Sequence, residues 1–190
     1  MDAETLVLYV MLYVLLPLWG IAGMLDWWCH RNTNIEATSG LHEATIHCVM
    51  GIQIGLPVIL SLLFEVNVLI LILCFLVLIT HELVAHYDVH FATGKREISI
   101  WEVHAHNYLA TLPLFLVLMI IVRKWDVFMK LISLDFAGEF GLEWRKEPLG
   151  ATGNYAAIYM IIMSIFVVFP YMQEWWRCYT YEREQKKEMV

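Results

Sequence analysis

Five stretches of the chain are apolar over lengths that fit a bilayer crossing, and the polar residues collect at their ends. They run over about residues 5–28, 42–64, 66–91, 100–122 and 155–175. A helix needs about 20 apolar residues to cross a hydrocarbon core. The first stretch follows an acidic MDAE segment and lacks both a basic leader and a small-residue cleavage site, so an uncleaved span is expected. Ser39 stands where it would cap a helix beginning near Leu41, and Pro57 predicts a kink in the second span. Only Glu65 to Asn67 separates spans two and three, which makes them antiparallel neighbours.

Between spans four and five, residues 123–153 form the longest non-spanning piece. Its first half, RKWDVFMKLISLDF, sets Trp125, Phe128, Leu131, Ile132 and Phe136 among charges, as in a helix lying in the membrane interface. Its second half, rich in Gly and Glu with Pro148, reads as loop. Residues 182–190 form a charged tail, expected to be exposed or frayed. The expectation is one all-α domain over 1–190, a polytopic membrane bundle of five spans with an interfacial helix between the fourth and fifth.

This topology has a consequence for the eight histidines. Five lie in Thr80–His106, at the end of span three and the start of span four. The other three, His30, His42 and His47, lie where span one ends and span two begins. In a five-span chain all of these ends share one membrane face. Basic residues number seven on that face (Arg31, Lys95, Arg96, Arg177, Arg183, Lys186, Lys187) and five opposite (Arg123, Lys124, Lys130, Arg145, Lys146). The bias of positive charge toward the cytoplasm then puts the histidines on the cytoplasmic side, in a bacterial inner membrane.

Composition agrees with the membrane reading: 60% of the residues are hydrophobic and the mean hydropathy is +0.63, too apolar for an ordinary soluble domain. A net charge of −7 without a basic tract speaks against nucleic acid as a partner. Four cysteines show no paired spacing and read as free thiols, with Cys29 beside His30 the one placed to neighbour a site. Trp27, Trp28, Trp101, Trp175 and Trp176 suit the headgroup level.

One pattern recurs at the histidine face, an acid four residues before a histidine: Asp26–His30, Glu43–His47, Glu82–His86 and Glu102–His106. Positions i and i+4 share a helix face, so each pair presents a carboxylate and an imidazole together. Four helices contributing both groups is the chemical logic of di-metal carboxylate bundles. The candidate metal ligands are Asp26, His30, Glu43, His47, His81, Asp88, Glu102, His104 and His106, with His42, Glu82, His86 and His90 in a second tier. Two transition-metal ions are expected, iron first, with zinc or manganese also compatible with imidazole and carboxylate. Structural pairing of interfacial polar residues is the competing reading, including an Asp88–Arg96 ion pair; bis-histidine haem would leave the carboxylates without a role.

The histidine clusters at the ends of a small helical membrane protein resemble the membrane-bound fatty acid hydroxylase and desaturase class, although its HxxHH doublets are absent and carboxylates are more numerous. That resemblance implies two irons, oxygen chemistry on a lipid-like or other membrane-soluble substrate, and an electron donor protein. The strings DWWCHR, IEATSGLHE, YDVHFATGKREIS and EVHAH are similar to a group of small uncharacterised bacterial integral membrane proteins. Two alternatives of other classes stand beside the oxidoreductase: a zinc-dependent membrane hydrolase using His47, His81 and His106 with Glu43 as general base, and a non-enzymatic metal-binding assembly subunit.

Overall fold

The computed structural model describes residues 2–189. It is all-α, with helices α1 (Ala3–Asn32), α2 (Gly40–Leu63), α3 (Val68–Thr93), α4 (Ile100–Arg123), α5 (Trp125–Ser133) and α6 (Tyr155–Glu188). All but α5 are long and apolar enough to cross a membrane. Single π-turns interrupt α1 at Met11–Leu15 and α6 at Ser164–Val168.

Local chemistry explains most helix starts. Asp2, Asn67 and Ser99 each accept a hydrogen bond from the backbone N–H three residues on, at Thr5, Ile70 and Glu102. The expected Ser39 cap of α2 does not form. Ser39 already has helical dihedrals and α2 begins at Gly40 with φ +70°, so the Ser39 hydroxyl is not placed over the first turn. The tail is exposed, as expected, and it stays helical through Glu188. Val190 lies outside the described residues.

The five long helices close into a ring in the order α1, α4, α3, α2, α6 and back to α1. Sequential helices α1 and α2 are therefore not ring neighbours. Their connector passes over α6, burying Ile35 against Ala44 and Cys178 and pairing Glu36 with Arg177. The ring exterior is apolar, with Ile52, Leu76, Ile79, Val122, Ile161 and Phe169 exposed. Apolar surface this extensive belongs against lipid, and the chain is an integral membrane protein.

One end of the ring is closed by α5 and the loop after it. α5 sets Val127 into the core formed by Val68, Leu71, Val117 and Ile121, and leaves Trp125, Met129 and Ile132 exposed. Arg145 then donates to the carbonyls of Ser61, Leu62 and Phe64, which the end of α2 leaves unpaired. The opposite end of the ring holds the buried histidines.

Candidate metal centre

Every long helix sends ionisable side chains into the ring at that end. α1 gives Asp26 and His30, α2 gives Glu43 and His47, α3 gives His81 and Asp88, α4 gives Glu102 and His106, and α6 gives Glu174. All are buried except the half-buried His106. Arg96, from the connector between α3 and α4, is buried among them.

The imidazoles of His30 and His47 stack face to face, 4.4 Å between centroids and 7° between planes. One carboxylate bridges them: Glu174 Oε2 lies 3.2 Å from His30 Nδ1 and Oε1 lies 3.2 Å from His47 Nδ1. An ionised carboxylate only accepts, so both Nδ1 atoms donate. The Nε2 atoms are thereby turned toward further carboxylates. His30 Nε2 faces Asp26 at 3.5 Å and Glu102 at 3.6 Å, and His47 Nε2 faces Asp88 at 3.3 Å and Glu43 at 3.9 Å.

Two groups result in which one donor atom per residue lies within 4.8 Å of every other: Asp26, His30, Glu102 and His106, and a second of His30, Glu43 and His47. Donor atoms about 2.0–2.2 Å from a common ion stand about 3–3.5 Å apart when adjacent. The 2.9 Å between His106 Nε2 and Asp26 Oδ1 is in this class. Among the described residues, His30 Nε2, His81 Nδ1 and Asp88 Oδ1 are buried without a hydrogen bond. Buried polar atoms are almost always paired, and a cation held by Asp26, His30, Glu102 and His106 would satisfy His30 Nε2.

Charge makes the same case. Five buried carboxylates (Asp26, Glu43, Asp88, Glu102, Glu174) face one guanidinium. Neutral imidazoles would leave four negative charges for bound cations, and imidazolium at His30, His47 and His106, each against a carboxylate, would leave one. Arg96 forks between Glu43, with Nη2 at 2.5 Å from Oε1, and Glu102, with Nη1 at 2.8 Å from Oε2. Burial alone would lower its basicity, but Glu102 and Glu43 outweigh that and hold the guanidinium above the ordinary arginine value.

The sequence-derived candidates divide by position. Asp26, His30, Glu43, His47, His81, Asp88, Glu102 and His106 converge inside the ring, while His104 is exposed. Of the second tier, His42 pairs with the hydroxyl of Tyr87 at 3.0 Å, Glu82 and His86 are exposed, and exposed His90 lies beyond the cluster. Asp88 pairs with His47 and not with Arg96, because the guanidinium reaches α2 and α4 instead. Cys29 is buried 3.7 Å from the hydroxyl of Ser99.

Sequence reasoning missed Glu174. It is an acid in the last turns of span five, beside Trp175 and Trp176, and an ionisable group at that depth is itself a signal. Tyr171, one turn away on the same face, was missed too; its hydroxyl donates to Asp26 at 2.8 Å.

A cavity of about 830 Å³ opens directly beneath the cluster, which forms its roof through Asp26, His47, Asp88 and His106. The rest of its wall is mostly apolar, from Trp19, Gly55, Ile59, Met163 and Val167 among others. A second cavity of about 80 Å³, toward Arg123 and Arg145, lies in the other half of the ring and touches none of these groups. Comparison of the chain with protein-family models, curated proteins and solved structures finds no match among any of them.

Proposed function

We propose that the chain is a metal-dependent, di-iron membrane oxidoreductase acting on a lipid-like, membrane-soluble substrate. The observation that carries this reading is the single Glu174 carboxylate on both Nδ1 atoms of a stacked histidine pair. A carboxylate behind an imidazole sets its tautomer and raises its basicity as a metal ligand. Here one residue does so for two imidazoles at once, and both free nitrogens then face carboxylates.

In this reading Asp26, His30, Glu102 and His106 hold one ion through His30 Nε2, and Glu43, His47 and Asp88 contribute to the second, with His81 alongside; His30 serves the first ion alone because its Nδ1 donates to Glu174. Bound iron would supply oxygen activation, in which a substrate C–H bond, O₂, two electrons and two protons give C–OH and water. The electrons come from a donor protein on the site's face of the membrane, the cytoplasmic face of a bacterial inner membrane by the charge bias. The chain's own part is to hold the ligands in register through Glu174 and Arg96, to keep water scarce through burial, and to align a hydrophobic substrate under the cluster. Tyr171 places an O–H on Asp26, where it orients one carboxylate oxygen.

The zinc hydrolase reading needs His47, His81 and His106 on one ion, and these three do not fall in either group of donor atoms that lie within 4.8 Å of one another among the described residues. Its general base, Glu43, has both oxygens engaged by Arg96, as does Glu102, so this contact does not separate the two readings. Elemental analysis of protein purified without added metal separates the two. Two irons per chain with near-ultraviolet absorption of a bridged iron pair supports the oxidoreductase; one zinc supports the hydrolase. Less than about one transition metal per chain removes both.

A further inference from the structure

The ring around the cavity has two lateral gaps, and their chemistry differs. α6 packs on α2 mainly through its C-terminal half, from Phe169 onward. Deeper in the membrane the two helices part. Gly51, Gly55 and Ile59 line the gap from α2, and Met160, Ser164 and Val168 line it from α6. A Cβ added at Gly51 or Gly55 would meet nothing within 4 Å, so this is open space and not a close helix crossing. Ile59 and Val168 are exposed. The slot is apolar and faces the hydrocarbon.

The second gap lies between α3 and α4. Those helices pack at the far end, through Leu71 and Cys74 against Val117 and Ile121. Glu82, Ala85 and His86 from α3 and Asn107 and Ala110 from α4 line this gap. Glu82, His86 and Asn107 are exposed, and Asn107 lies about 9 Å deeper than Trp101 by helix rise. Exposed ionisable groups at such depth mark pathways. Among the described residues, the cavity lining contains no Lys or Arg, and its acids are Asp26, Glu82 and Asp88.

We propose that the cavity binds one long hydrocarbon chain bearing an uncharged or amine headgroup rich in hydrogen-bond donors. The headgroup sits at Glu82, His86 and Asn107, and the chain runs beneath the cluster to leave through the Gly51–Gly55 slot. From His47 to Ile59 the lining of α2 spans about 18 Å. One leaflet of hydrocarbon is about 15 Å deep, so the cavity takes an acyl-length chain. At the headgroup position Glu82 is the acid that faces the ligand, and among the described residues neither Lys nor Arg lines the cavity, so a carboxylate or phosphate headgroup meets like charge there. The arrangement places the carbons next to the headgroup, not the terminal methyl, under Asp88 and His106. This deepens the oxidoreductase reading by naming its substrate class, but the binding itself does not require metal.

The test uses the full chain in vesicles with photoactivatable hexadecyl probes that differ only in headgroup: alcohol, amine, carboxylate and phosphate. Alcohol and amine probes are expected to label residues 51–59 and 159–172, at least about tenfold above the two anions, since like-charge juxtaposition costs several kcal/mol. Gly51→Leu with Gly55→Leu should abolish that labelling with metal content unchanged. Should this variant lose its fold, Glu82→Lys keeps the proposal testable, because it should raise carboxylate labelling above alcohol. Equal labelling by anionic probes, labels mapped elsewhere, or indifference to both variants overturns the proposal. Correct labelling of a chain that purifies without metal would retain this site and remove the di-iron reading.

Discussion

Glu174 and His47 are 127 residues apart in the chain, and a carboxylate oxygen of one lies 3.2 Å from Nδ1 of the other. The second oxygen makes the same contact with His30. One acid on the last helix thus fixes the ring orientation of two histidines on two other helices.

Glu174→Gln should weaken metal binding on the order of 10–100-fold, the usual cost of losing a carboxylate behind a ligating histidine. The amide can accept from one Nδ1–H but opposes the other with its own N–H groups. Competition with a graded series of chelators measures it. Unchanged affinity would show that the bridge is structural only.

His106→Ala and Glu102→Gln should each lose metal while the protein still inserts, because insertion depends on the apolar spans. His90→Ala is the control, since that side chain is exposed and outside the cluster. Metal analysis of the three variants decides the matter. Retention in His106→Ala with loss in His90→Ala would move the site toward the connector.

Arg96→Ala leaves Glu43 and Glu102 buried without their counter-charge, a loss of about 3–5 kcal/mol for a broken buried pair. Arg96→Lys restores charge but not the fork that reaches α2 and α4 together, and should recover only part. Thermal unfolding in detergent reads both. Added divalent metal should stabilise Arg96→Ala more than the parent, because the freed carboxylates can take the ion.

The α6 carboxylate at the cluster requires the C-terminus to lie on the histidine side. Reporters fused after Lys95 and after Glu188 should therefore report the same side, and one placed near Lys130 the other. Opposite signals from Lys95 and Glu188 would break the five-span topology.

Much of the architecture was legible in the chain itself. Spans are long apolar runs, and a bilayer forces any such run into a helix because no water remains to satisfy its backbone. Odd-numbered crossing then brings the ends bearing Asp26, His47, Asp88 and His106 to one face without further information. The i, i+4 spacing also conveyed that Asp26–His30 and Glu43–His47 share a face, since helical geometry is local.

Which faces turn inward was not local. Glu82–His86 has the same spacing as Asp26–His30, yet it lines the α3–α4 gap while its counterpart sits at the cluster's centre. That difference is set by the order of helices around the ring, which separates α1 from α2 and puts α6 between them. Ring order also brought in Glu174 and aimed Arg96 at Glu43 and Glu102 instead of Asp88. The chain's own pattern determined five helices and the level of the polar cluster. Tertiary packing decided which acids share a histidine, because a lone carboxylate on a distant helix acquires its partner only when the ring closes.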